Sequence, residues 1–200
     1  MRIGSLALRS TIGPLFVGHG TQKLFGWFDG HGPEGTGGFF ESLGMRPGRR
    51  HATAAGWAEA AGGALVTLGA LTPLAGTALT ASMVTAIRKV HAQNGPWSTK
   101  GGYEYNLVLI AALMALTDSG PGRPSVDSVL LPRMKGSAWA LLQLGAGIAA
   151  SYIATSERFN EPPEQGPADA VDALPADQAV TEDEPRFVRE PAADPAATNR

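Results

Sequence analysis

Residues 52–87 run for thirty-six positions with one ionisable side chain, Glu59. A hydrocarbon core ~30 Å thick takes ~20 helical residues at ~1.5 Å rise each. The stretch is too long for one crossing and too apolar for a solvated surface. Pro73 falls near its middle, where a proline removes a backbone donor and crowds the preceding turn. Two helical spans joined by a tight turn at residues 72–76 are therefore expected. Residues 136–155 form a second run, twenty long and without charge, and read as a further span. Residues 6–25 make a first span diluted by Arg9, His19, Gln22 and Lys23. Residues 104–117 are apolar but short, and span with Glu104 and Asp118 at the two interfaces. The expected fold is an all-α, polytopic transmembrane helical bundle. A soluble protein with buried helices accounts less well for the uncharged runs.

Charge divides the chain in two. Residues 1–156 carry 12 Lys/Arg against 7 Asp/Glu, whereas residues 157–200 carry 4 against 11. The second part also holds 7 of the 15 prolines. Such a segment cannot bury enough apolar surface to offset its ordering entropy, so 157–200 reads as a disordered acidic tail. The absence of cysteine excludes disulfides, thiolate metal sites and dithiol redox chemistry in this chain. Arg2 and the apolar residues after it hint at a signal peptide. Arg9, Ser10 and Thr11 interrupt that stretch, so it reads as the retained start of the first span.

Between the spans, residues 26–50 are Gly-rich and read as a flexible loop at the membrane surface, while 89–103 and 119–135 read as polar linkers. Trp27, Trp57, Trp97, Tyr103 and Tyr105 stand near span ends, where amphipathic rings prefer the headgroup region. Ala55, Gly62, Gly69 and Gly76 recur every seven positions, and Gly145 and Ala149 are four apart; both patterns suggest close helix packing.

With five alternating spans, the unusual polar residues gather at one end, here side B. The first span brings His19 and Lys23, one helix turn apart. The second brings Glu59, the third Arg88, His91 and Asn94, and the fourth Glu104 with Asn106. The N-terminal end, side A, offers Arg9 and Thr72. Ionisable groups within spans are costly unless paired or hydrated, so they mark a functional site by default. His19, Lys23, Glu59, Arg88, His91, Asn94 and Glu104 are the candidate ligand-binding cluster, with Glu59 pairing Lys23 or Arg88. The competing reading is that these pairs only lock the helices in register.

His19, His31, His51 and His91 sit in four segments without metal-ligand spacing, so no metal site is expected. The glycines of 30–38 follow no strand, which argues against a phosphate cradle. Arg46, Arg49 and Arg50 form a short basic cluster suited to lipid headgroups or topology. No self-sufficient catalytic constellation is recognisable, and no nucleic-acid partner is expected.

A set of short motifs in fixed order resembles the DoxX family of bacterial membrane proteins. They are Arg9, residues 16–26 (FVGHGTQKLFG), 38–44 (GFFESLG), 58–63 (AEAAGG), 71–74 (LTPL), 88–95 (RKVHAQNG), 102–106 (GYEYN) and 120–123 (GPGR). The resemblance covers about residues 6–127 and implies a four-helix membrane bundle at 1–127. It leaves a linker and fifth helix at 128–156 and the tail at 157–200 outside the family pattern. It further implies a multi-pass protein of the cell membrane. In that setting the chain is expected to be an accessory subunit that binds a small hydrophobic or quinone-like ligand, or a membrane or peripheral oxidoreductase partner. The alternative is a quinone-reducing subunit of an oxidoreductase complex. Quinone is the cofactor the resemblance brings into view. Basic residues near span ends favour side B as cytoplasmic, eight against five, whereas the family's usual arrangement places the N-terminus in the cytoplasm.

Overall fold

Five long helices alternate in direction. In the computed structural model, which describes residues 3–160, they are α1 (Ile3–Phe25), α3 (Gly48–Leu68), α4 (Thr72–Ala86), α5 (Glu104–Ser119) and α7 (Ser137–Ala154). Two shorter helices, α2 (Gly32–Ser42) and α6 (Asp127–Leu130), fill the connections. Among the described residues the structure is all-helical. Residues 161–200, on which most of the expected tail falls, lie outside them.

Glycine sets the distance between α1 and α3. A Cβ at Gly20 would stand 2.4 Å from Ala60 N, and one at Gly63 would stand 2.5 Å from Gly13 O. Only hydrogen fits at such separations, so the two backbones touch along an antiparallel seam. Ile12 and Phe16 of α1, Val66 of α3, Leu79 of α4 and Leu113 of α5 fill the buried core beside it.

The seven-residue series expected from sequence is not one seam. Gly62 faces Leu79, Gly76 faces Gln143 of α7, and Gly69 lies in the turn at φ +60°. That turn occupies residues 69–71, three positions before the expected one, because Pro73 starts α4 instead of breaking a helix. Within α7, Gly147 rather than Gly145 is the packing glycine: it meets Thr80, while nothing stands within 4 Å of a Cβ at Gly145.

Residues 26–50 hold a helix where a flexible loop was expected. Each interior glycine costs a helix up to ~1 kcal/mol against alanine, but contact with α3 outweighs that cost. A Cβ at Gly37 would come within 2.8 Å of Arg49 N, and Glu41 Oε1 accepts from Gly48 N–H at 2.9 Å, capping α3. The glycines are there for closeness.

Two buried polar nodes tie the rest together. At side A, Asp127 accepts from Leu71 N–H (2.7 Å), Thr72 N–H (2.8 Å) and the Thr72 hydroxyl (2.6 Å). It thus caps α4 from fifty-five residues away. Arg9, 3% exposed, donates through Nη2 to Pro124 O at 2.7 Å beside this node. Mid-bundle, Gln143 accepts from the Thr117 hydroxyl and reaches Thr80 Oγ1 at 3.5 Å, joining α7 to α5 and α4.

Among the described residues α7 is the one helix long and apolar enough, by length and composition, to cross a membrane. α4 and α5 are shorter, at 15 and 16 residues. α1 carries Arg9 and Lys23.

Candidate functional site

Helices α1, α2, α3, α4, α5 and α7 line an open-sided cavity of about 640 Å³ toward side B. Small side chains leave the space: Ala55 and Ala58 on α3, Ala81 and Ser82 on α4, Ala150 and Ala154 on α7. Phe16, Phe39, Phe40 and Leu109 add an apolar lining. The volume lies within the ~300–1,000 Å³ typical of small-molecule sites.

Four of the seven candidate residues, His19, Lys23, Glu59 and His91, line this cavity. Lys23 Nζ meets Glu59 Oε2 at 2.5 Å, joining α1 to α3, with the Glu59 side chain 6% exposed and that of Lys23 23%. His19 Nδ1 donates to Gln22 Oε1 at 3.0 Å, and His91 Nδ1 donates to Gly101 O at 2.7 Å. Each of these imidazoles, when neutral, then keeps Nε2 as an acceptor.

The other three are engaged elsewhere. Arg88 does not pair with Glu59. Its Nη1 donates to Ser151 Oγ and Thr155 Oγ1, both at 3.1 Å, and its guanidinium lies 3.5 Å from the Tyr152 ring centroid. Arg88 is the anchor of α7, a helix the sequence reading had set outside the core. Asn94 Nδ2 donates to Gly101 O at 3.2 Å, and Glu104 Oε1 accepts from Ser98 N–H at 2.8 Å, so both brace the α4–α5 connection.

A π turn at Ile87–His91 accounts for the departure of Arg88. Its wider winding shifts the face that α4 presents. Lys89, Val90 and His91 come in succession to the cavity wall while Arg88 turns to α7. Nothing in the residue types announces such a turn.

Two cavity residues, His51 and Lys89, stand outside the candidate cluster read from sequence. For His51 the signal was present: His51, Ala55, Ala58 and Glu59 share one helical face, and all four line the cavity. Asn106, which also lines it, directs Nδ2 to Met83 Sδ at 3.4 Å. No group of three or more His, Cys, Asp or Glu placed to hold a metal ion occurs among the described residues.

Among the described residues, an all-helical fold around an interhelical, mostly apolar cavity with a buried ion pair in its wall is the class that fold and site define. The DoxX family model matches residues 4–92, from the start of α1 to the end of the π turn. That part of the chain is a DoxX domain, and the DoxX family is membrane-associated. No curated protein and no solved structure matches it.

Proposed function

We propose that this chain is a multi-pass protein of the cell membrane whose side-B cavity binds a small, largely apolar ligand, serving as an accessory subunit rather than a self-contained enzyme. The single observation that carries the reading is the cavity itself. Six helices converge on it, and alanines stand where larger side chains would close it. A void of this size forfeits packing contacts on every wall, and a bound molecule restores them. The polar groups are few and distinct, as a site that orients one end of an apolar molecule requires. The Lys23–Glu59 pair is both a structural tie and part of the wall.

The helices cross the bilayer as a group under this reading. α1 tolerates its charges because Arg9 is buried and Lys23 pairs with Glu59 at the cavity wall, while Glu104 and Asp118 stand at the two ends of α5. A quinone fits the cavity's chemistry as one member of the ligand class.

Organic extraction of the protein purified in mild detergent, followed by mass spectrometry, tests the reading. An apolar small molecule should accompany the wild type in near-stoichiometric amount. Ala81→Phe or Ala58→Leu, which fill the space, should lose it while the helical content is kept. Extracts from wild type and filled variants that match in every small molecule would end the proposal.

A further inference from the structure

His51 stands in the first turn of α3 and is 9% exposed. It is one of the residues that line the cavity, and its buried Nε2 has no hydrogen-bond partner among the described residues. Buried polar atoms are nearly always partnered, so this nitrogen calls for a group beyond the described residues. The other imidazoles of the wall are already held, His19 by Gln22 and His91 by Gly101.

The charges of the wall point the same way. Lys23 and Lys89 stand against one carboxylate, Glu59, and Lys23 is bound to it at 2.5 Å. Lys89 reaches a backbone carbonyl, Leu43 O at 3.4 Å, and forms no ion pair among the described residues. Leu43 ends α2 and His51 begins the next long helix, so the free ammonium and the free imidazole flank the same stretch of chain. Phe16, Ala81 and Leu109, from three other helices, supply apolar wall.

We propose that the cavity takes a single-chain amphipath with an anionic oxygen head, of the class of a long-chain carboxylate. The head accepts from His51 Nε2–H and from the Lys89 ammonium, and the chain lies along the alanine- and phenylalanine-lined wall. A carboxylate supplies lone pairs to both donors and balances the surplus positive charge. A neutral carbonyl satisfies the imidazole but leaves the ammonium uncompensated, so it binds less well. This inference rests on the cavity being a ligand site and adds what the ligand's head must be.

The test uses the full chain in nanodiscs, with a diazirine-bearing palmitate and its methyl ester as probes at matched mole fractions. Crosslinks are mapped by mass spectrometry and competed with unlabelled palmitate. The acid should label cavity-wall residues saturably, with an apparent affinity at least about tenfold above the ester. H51A and K89A should each weaken it roughly tenfold, the equivalent of one charge-assisted hydrogen bond. H51Q, whose amide nitrogen reaches near the place of Nε2, should retain most of the labelling. K89A and H51Q carry the test by themselves if H51A fails to accumulate. Equal labelling by acid and ester, or wild-type labelling in K89A together with loss in H51Q, overturns the headgroup assignment and leaves the cavity's role standing. If neither probe reaches the cavity wall, both fall.

Discussion

Lys23 and Glu59 each stand three residues beyond the glycine at which their helices touch, Gly20 in α1 and Gly56 in α3, and their side chains meet at 2.5 Å. The glycine contact sets the register, and the register makes the ion pair. Glu59→Ala leaves the Lys23 ammonium without its partner, and breaking such a buried pair costs ~3–5 kcal/mol. The partial exposure of Lys23 places the expected loss near the lower end. Glu59→Gln keeps shape and a hydrogen bond, so it should lose less. Adding Lys23→Ala to Glu59→Ala should recover part of the stability. Thermal unfolding in detergent reads all three, and additive losses in the double variant would show the two residues to be uncoupled.

The seam makes its own prediction. Gly20→Val and Gly63→Val place side chains where a Cβ already lies 2.4 Å from Ala60 N and 2.5 Å from Gly13 O. Backbone cannot yield as a flexible side chain can, so each should cost upwards of ~2 kcal/mol through separation of the helices. Gly18 lies on the same helix with nothing within 4 Å of its Cβ position. Gly18→Ala should be neutral or stabilising by up to ~1 kcal/mol. If Gly18→Ala and Gly20→Val melted alike, the close approach of α1 and α3 would not be what holds them.

Where the fold was legible, the signal was long and apolar. The uncharged runs mark α3, α4 and α7 because burial of that length has few alternatives. What stayed hidden depends on partners distant in sequence. The glycines of α2 read as loop until Gly37 is placed against Arg49. Asp127 reads as a linker residue until it reaches the start of α4. The candidate site divides likewise. Glu59 was legible as a costly charge in need of a cation, with Lys23 and Arg88 both open as its partner, whereas the departure of Arg88 toward Ser151 goes with a π turn that local propensity does not encode.

Asp127 is the acid to remove at the opposite end. Asp127→Ala strips the acceptor from two backbone N–H groups and the Thr72 hydroxyl at a position 2% exposed. Unsatisfied donors cost ~1–3 kcal/mol each, so a loss of about 3 kcal/mol or more is expected. Asp127→Asn keeps a capping oxygen but presents donors to donors, and should fall between wild type and alanine. Hydrogen exchange of the first turn of α4 locates the effect. Unchanged protection at Leu71 and Thr72 in the alanine variant would refute the cap.

The last prediction concerns whether α7 crosses the membrane. It is the helix that meets the length and composition of a span, and it runs parallel to α4, with Gly147 against Thr80 and Thr155 beside Arg88. Its two ends therefore lie at opposite ends of the bundle. Lys23 and Arg88 are held inside the bundle by Glu59 and by α7, and Arg9 is buried, so none of them counts as a topological charge. Lys89 lines the cavity and is set aside with them, so side B keeps Arg46, Arg49, Arg50, Lys100 and Arg158, and side A keeps Arg123, Arg133 and Lys135. The balance still favours a cytoplasmic side B. Asn160 must stay in any fusion, because its Oδ1 accepts from Arg46 N–H at 3.0 Å and ties the end of α7 to the start of α3. A reporter pair that distinguishes cytoplasm from periplasm, fused after Lys135 and after Asn160, should therefore give a periplasmic signal at the first site and a cytoplasmic one at the second. Reversed signals would keep the crossing and invert the orientation. The same signal at both sites would mean that α7 does not span the bilayer, and the bundle would need another account of its exposed Leu141, Leu142 and Ile153.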